Sequence, residues 1–543
     1  MRKRNITSFQ FATSADEKNV IRNGVNGKEI TVPHTWNVED GTEEYCGTGW
    51  YSTEFETDAS AFKTVLAFRA VYRDCTVYLN GQEIAKHLNS GFTPFEADIT
   101  DKLQVGKNLL VVKCSNAYSN DALSHGKDFD WANDGGILRP VDFMEYSEKD
   151  VRHFKIESTV TDFLPDGKAN AKVACRFDFA SPAHSPFRVT VKEKESGKTV
   201  YEQENICGDS VSFDLADVTL WNTDNPFLYT LEYACGDTVQ SQSFGIRKIE
   251  TRKDKVYLNN REIILKGVEW MPGSHPQFGM AEPESELRKN LEMLKDLNCN
   301  FTRFHWQQDD FVYAWCDTHG LMVQEEIPYW GSPKEAGEQQ LKVAQMQADE
   351  MLLHHFNHPS IVCWGVGNEL GGRKKGTVRY VQNMVAYFKS KDPMRLVNYV
   401  SNTLGYATPM QKFKKAKDAT LYGDICMWNE YLGTWYGDTN FDKVFQFVKK
   451  QTTGRPLVST EFGLCEPHFK GGDERRIAIY KEKLAYYKKY GFAGWVYFSL
   501  NDYRTHVGES GKGKLRQRIH GSVDLYGNKK PSYDFIKEQN GKR

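Results

Sequence analysis

The pattern of apolar and polar positions changes twice along the chain. Up to about residue 150, apolar residues fall in short runs separated by turn residues. Thr76-Val77-Tyr78-Leu79 runs into Asn80-Gly81, a dipeptide favoured by tight hairpins, and Leu109-Leu110-Val111-Val112 is a second strand of this kind. Helical periodicity is scarce there, so the pattern predicts a β-sandwich. From about 151 to 250 the runs stay short and close to period two, as in Phe187-Arg188-Val189-Thr190-Val191 and Tyr229-Thr230-Leu231-Glu232-Tyr233. Ser181-Pro182-Ala183-His184-Ser185-Pro186 reads as a loop between them. About a hundred residues of such strands suit an immunoglobulin-like sandwich.

After about 251 the period lengthens. Leu287, Leu291 and Leu294 share a helical face, and Cys299-Asn300-Phe301-Thr302-Arg303-Phe304 follows as a strand. Asp309 to His319 reads as a helix, Leu321 to Gln324 as a strand, 340–356 as a helix and Ile361 to Val366 as a strand. Pro456 to Thr460, a helix near 474–490 and Gly494 to Phe498 continue the alternation. Strands alternating with helices over almost 300 residues predict a parallel sheet, and that length suits a (β/α)8 TIM barrel. The expected division is therefore 1–150, 151–250 and 251–543, two β-sandwiches followed by a barrel.

Composition narrows the classes of function. The 543 residues suffice for three or four cores without disulfide or metal staples. Lys and Arg total 70 against 72 Asp and Glu, so no basic excess points to nucleic acid or a membrane surface. The longest apolar runs fall far short of the roughly 20 residues of a membrane span. Met1-Arg2-Lys3-Arg4 is basic but no apolar segment follows, so an intact secretory signal is not expected. The 11 cysteines are odd in number and contain no C-x-x-C, which reads as mostly free thiols in a reducing, cytoplasmic setting; a periplasmic one would follow from a leader removed upstream. Aromatic residues reach 13%, which suits β-rich cores and also the C–H faces of sugars.

In such a barrel, chemistry gathers at the C-terminal ends of the strands. Glu369 closes Trp364-Gly365-Val366-Gly367-Asn368-Glu369, and Glu461 closes Leu457-Val458-Ser459-Thr460-Glu461. Each ends an apolar run, so each carboxyl is expected to be partly desolvated. Desolvation and a like charge would keep one protonated and leave the other ionised, the pair that glycoside hydrolysis requires. Two ordinary loop or salt-bridged acids are the alternative. Asn368 can hold a sugar hydroxyl. Trp495 is either a floor under a sugar ring or core packing, and His305 either a substrate contact or a buried hydrogen-bonded histidine. Glu325-Glu326 is expected to pair with Arg303 or a similar base. His354 and His358 share one helical face, but Pro359 ends the helix and no H-E-x-x-H glutamate is present, so no catalytic zinc is expected. There is no phosphate loop and no convincing dinucleotide fingerprint. Arg504, Lys512, Lys514, Arg516 and Arg518 crowd into fifteen residues, either as a solvated loop or as a lid meeting an anionic or extended glycan.

Longer motifs bring a family into view. Gly47-Thr48-Gly49-Trp50-Tyr51, Asn80-Gly81 and Gly91-Phe92-Thr93-Pro94-Phe95 lie in the first region, and Phe244-Gly245-Ile246-Arg247 closes the second. Leu258-Asn259-Asn260-Arg261 and Leu265-Lys266-Gly267-Val268 lead into the barrel. His358-Pro359-Ser360-Ile361 precedes Gly367-Asn368-Glu369, and Thr460-Glu461-Phe462-Gly463 stands near the end. Together they resemble glycoside hydrolase family 2, the family of β-galactosidases, β-glucuronidases and β-mannosidases, over nearly the whole chain. The resemblance implies a sugar-binding jelly roll, an immunoglobulin-like sandwich and a catalytic TIM barrel. It implies Glu369 as acid/base, Glu461 as nucleophile and Asn368 as partner of the sugar 2-hydroxyl, with His305, Asn429, Tyr431 and Trp495 lining the sugar pocket. Asp130, in Asp128-Phe129-Asp130-Trp131, resembles an acid that reaches in from the first domain.

Some residues depart from the family pattern. His305-Trp306-Gln307 stands where His-Tyr-Pro is usual, and Gln517-Arg518-Ile519-His520-Gly521 stands where glucuronidases carry Asn-x-Lys. Asn528-Lys529-Lys530 spells that motif, but directly before the last helix. The expected activity is a retaining exo-β-glycosidase on an oligosaccharide or glycoside, with β-galactosidase leading. A β-glucuronidase or other uronidase using the 504–518 cations is the alternative within the class, and a non-catalytic carbohydrate-binding protein the alternative outside it. No cofactor is expected, a Mg or Na ion entering only by family analogy; no nucleic-acid or membrane partner is expected, and a homo-oligomer is.

Overall fold

The computed structural model describes residues 1–331, 336–406, 416–437 and 439–542. They form two compact units. The first comprises Met1–Tyr118, Asp134–Arg247 and Asp349–Pro359. It contains an antiparallel sandwich of a four-stranded and a six-stranded sheet. Strand Asp74–Leu79 shows why the sequence pattern works: Cys75, Val77 and Leu79 are buried and the residues between them are not. It turns at Asn80 and Gly81, both at positive φ, and pairs back through Leu79 opposite Gln82, the geometry a two-residue hairpin loop requires. Phe9, Trp36, Tyr51, Phe68, Val112 and Phe143 share its core. A second sandwich in this unit has sheets of three and four strands, with Tyr229, Leu231 and Tyr233 alternating into one core. The two β-sandwiches expected from the sequence are present.

The described residues of Ser119–Asn133, Lys248–Ala348 and Ser360–Arg543 make the second unit. Eight parallel strands close a barrel: Leu265–Glu269, Phe301–Phe304, Met322–Glu326, Ile361–Asn368, Leu396–Ser401, Cys426–Asn429, Leu457–Glu461 and Gly494–Phe498. The first pairs with the eighth through Leu265 opposite Gly494. All eight residues of the fourth strand are buried, as a strand covered on both faces must be. Helix Asp310–His319 starts where the Asp309 side chain accepts from the Phe311 N–H, and stops at Gly320 in the left-handed region.

One segment departs from the linear division at residue 150. Ser119–Asn133 packs with the barrel unit because it carries buried rings: Trp131 lies 4.7 Å from Trp306 and 5.7 Å from His305, and Phe129 lies 4.5 Å from His506, measured between ring centres. All eleven cysteines are free thiols, and among the described residues no helix is long and apolar enough to cross a membrane.

Phe445 illustrates what holds the outer helices. It is fully buried on helix Phe441–Gln451, and stacks on Tyr486 at 5.0 Å and Tyr490 at 5.6 Å. Phe445→Ala is expected to destabilise the barrel unit by about 3–5 kcal/mol. A chemical denaturation midpoint unchanged from wild type would contradict that packing.

Candidate active site

The ends of the barrel strands supply the site one residue at a time. Glu269 ends the first strand, His305 follows the second, Glu326 ends the third and Glu369 follows the fourth. Asn402 follows the fifth, Asn429 ends the sixth, Glu461 the seventh and Phe498 the eighth. Of these, His305, Glu369, Asn402, Glu461 and Phe498 line a cavity of about 320 Å³, together with Asp130, Trp131, Tyr431 and Arg518 among others. Trp330 and Trp435 also line it and are half-buried.

Arg303, fully buried on the second strand, organises the carboxyls. Its Nη1 donates to Glu269 at 2.7 Å and to Glu461 at 2.9 Å, and its Nε and Nη2 donate to Glu326, each at 3.3 Å. Gly365 leaves the room Glu326 occupies, since a Cβ there would lie 2.7 Å from Glu326 Cγ. Three carboxyls share one guanidinium, so burial still holds Glu269 up at about 8 and raises Glu326 as well. His305 Nδ1 lies against Glu269 Oε1, and its Nε2 is 3.4 Å from the Asn368 amide nitrogen and 3.5 Å from Glu461 Oε1. Burial and the Arg303 charge lower His305 to about 4, leaving a neutral ring near pH 7.

The two central glutamates differ in their partners. Among the described residues, Glu369 Oε1 accepts from the neutral Asn429 amide at 2.9 Å. Burial, with the Glu461 charge added, pushes it up to about 8. Glu461 accepts from Arg303 at 2.9 Å and from the Tyr431 hydroxyl at 2.9 Å. Burial raises Glu461 too, but against the guanidinium charge and its hydrogen bond. The first proton lost by the pair therefore comes from Glu461, and Glu369 keeps its own. Glu369 also sits at φ 57°, a left-handed backbone unusual for a residue other than glycine, fixed by its N–H donating to Val400 O at 3.0 Å.

Three family descriptions match the chain in succession. "Glycosyl hydrolases family 2, sugar binding domain" covers residues 18–147, "Glycosyl hydrolases family 2" covers 151–247, and "Glycosyl hydrolases family 2, TIM barrel domain" covers 249–511. The chain belongs to glycosyl hydrolase family 2. A β-galactosidase of Thermoanaerobacterium thermosulfurigenes is 30% identical over 547 residues, 92% of this chain and 70% of that protein. The chain spans less than half, 44%, of a longer Formosa agariphila relative that is 28% identical over 368 residues. Among solved structures, a β-glucuronidase of an uncultured Clostridium sp. superposes with a TM-score of 0.88, covering 99% of this chain and 97% of that one at 20% identity.

Most of the family-2 residues singled out from the sequence meet in this cavity. Asp130, His305, Tyr431, Glu369 and Glu461 line it. Asn368 and Asn429 lie fully buried beside them, Asn429 donating to Asn368 Oδ1 at 3.0 Å and accepting from Thr460 at 2.8 Å. Asp130 accepts from the Tyr503 hydroxyl at 2.9 Å, from Thr505 at 3.0 Å and from Arg518 at 2.6 Å.

Trp495 does not join them, which corrects the expected floor. It opens the eighth strand from the opposite end of the barrel, its indole N–H 3.3 Å from Asn540 Oδ1, and lines a separate crevice with Ile263, Lys266 and Phe492. Phe498, at the other end of that strand, is the residue facing the cavity. Of the basic 504–518 cluster, Arg518 alone lines the cavity; Arg504 is bonded to the Lys514 and Gly273 carbonyls and Arg516 to that of His506. Asn528 is bonded to Asp524 and Lys530 to Asp502, so that Asn-x-Lys spelling serves local structure. Arg303 pairs with Glu326, as expected. Glu269 was missed although it too closes an apolar strand run.

Glu269, His305 and Glu461 bring their ligand atoms within 4.8 Å of one another, close enough to hold a metal ion. Arg303 Nη1 donates to two of the three, so the place a cation would take is the guanidinium's own. The residues present do not fit a resident ion there.

The Glu461 charge is the second cause of the high Glu369 value, after burial. In Glu461→Gln, Glu369 is expected to titrate below 8 but still above an ordinary glutamate, followed by isotope-edited infrared spectroscopy. A carboxyl titrating in the same place would show that the two charges do not sense each other.

Proposed function

We propose that this chain is a retaining exo-β-glycosidase releasing a neutral terminal sugar, with β-galactosides its leading substrates. In this reading Glu461 attacks the anomeric carbon while Glu369 gives its proton to the departing oxygen. Glu369, now ionised, takes a proton from the water that releases the sugar, and the anomeric configuration is retained. Asn368 holds the 2-hydroxyl, and Tyr431 and Arg303 hold Glu461 ionised and in place. The observation that carries the proposal is the asymmetry between the two carboxyls: a neutral amide on Glu369, a guanidinium and a phenol on Glu461.

A neutral sugar is supported by charge. Arg518, which lines the cavity, is paired with Asp130 at 2.6 Å. That pair presents an acceptor beside a donor, which suits adjacent hydroxyls better than a carboxylate. The β-galactosidase matching 92% of this chain supports the same choice. A uronide is the second reading, favoured by Arg518 standing in the stretch where glucuronidases carry Asn-x-Lys. A panel of nitrophenyl glycosides separates the two: fastest turnover is expected on the β-galactoside, faster turnover on the β-glucuronide would select the second reading, and binding without turnover on every glycoside would sink both.

The roles have separate signatures. Glu461→Gln is expected to abolish the glycosyl-enzyme. Glu369→Gln is expected to slow substrates with poor leaving groups most, because good ones need little protonation. With Glu369 protonated below about 8, kcat/KM should fall as the pH rises through that value, and Glu369→Gln should lose that limb on activated substrates. Equal losses for good and poor leaving groups would contradict the acid role. Asp130→Ala is expected to remove roughly 2–4 kcal/mol of transition-state stabilisation with folding intact; an unchanged kcat/KM would make Asp130 a structural residue only.

A further inference from the structure

Glu430 is an acid the proposed chemistry leaves unused, and it stands between two residues that chemistry needs. Its neighbour Asn429 donates to Glu369, and its other neighbour Tyr431 donates to Glu461. The Glu430 side chain goes elsewhere and is fully buried. Lys483, buried on helix Gly472–Lys489, donates to its Oε2 at 3.0 Å. The Tyr487 hydroxyl, one helical turn on, donates to its Oε1 at 2.5 Å, and Ser459 on the seventh strand donates to that hydroxyl at 2.9 Å. The Glu430 N–H donates to the Glu461 carbonyl at 2.8 Å. A fully buried ion pair is a poor source of stability, since well-packed apolar residues serve as well or better. What it does is fix geometry: Glu430 cannot move without stranding a buried charge.

We propose that the Glu430–Lys483 pair, with Tyr487, is a positioning device that holds Asn429 on Glu369 and Tyr431 on Glu461, and so sets the rate and pH range of the reaction. The inference rests on the assignment of Glu369 and Glu461 above. Both hydrogen bonds favour the charged form of the carboxyl they reach, so loosening them raises both carboxyls and moves both limbs of the pH profile upward.

The test replaces the ion pair as a unit, E430Q/K483M, so that no charge is left stranded. In a folded double variant kcat is expected to fall about tenfold or more, as for misplaced catalytic groups generally. KM should stay within about twofold, because neither residue reaches the cavity, and both pH limbs should rise. Lys483→Arg, which keeps the charge, should retain most of the rate. Wild-type kcat and limbs in the folded double variant would overturn the proposal. If the double variant does not fold, Tyr487→Phe decides, with the same upward shift expected and an unchanged profile overturning it. A wild-type chain inactive on every glycoside would instead overturn the assignment of the two carboxyls. The infrared titration of Glu369 in these variants needs no turnover and judges the positioning device separately: an unmoved titration counts against it.

Discussion

A buried guanidinium with three carboxylate partners is the constraint around which the barrel mouth is arranged. Arg303 reaches Glu269 on the first strand, Glu326 on the third and Glu461 on the seventh, so it fixes the relative positions of strands that are not all neighbours. Its planar fork allows this; the point charge of a lysine would not satisfy three acids in these directions. One positive charge among three acids leaves the cluster short of neutral, and that shortage, with burial, keeps protons on carboxyls that water would strip. The Glu369–Glu461 pair inherits its inequality from this cluster, because one member touches the guanidinium and the other does not.

Much of this was legible in the sequence, and the parts that were not share physical reasons. Glu369 and Glu461 stood out because each closes an apolar strand. Trp495 misled because a strand buried on both faces shows no alternation. Val496 and Phe498 face one way and Trp495 and Tyr497 the other, and only the folded strand reveals which side is the cavity. Glu269 obeys the same strand-end rule as Glu369 and Glu461, but its run is broken by Lys266 and Gly267. The cationic 504–518 stretch could not be resolved from composition. Backbone pairing of Tyr503–Arg504 with Gln517–Arg518 decides which cation faces inward.

The backbone of Glu369 adds a second kind of information. Residue type alone cannot assign the proposed acid and nucleophile roles when both candidates are glutamates. Here one lies in the ordinary run of its strand and the other leaves its strand in a left-handed conformation, its side chain accepting, among the described residues, from an amide. Preorganisation is built into the main chain as well as the side-chain contacts.

The segment Ser119–Asn133 carries a temporal consequence. Asp130 and its partner Arg518 are 388 residues apart in the chain. At 5–20 residues per second of synthesis, roughly 20–80 s separate their emergence. Through that interval the rings of Phe129 and Trp131 have no barrel to cover them. The cavity wall they build is thus among the last parts of the molecule to form, and the nascent chain must carry an uncovered aromatic loop for most of its own making.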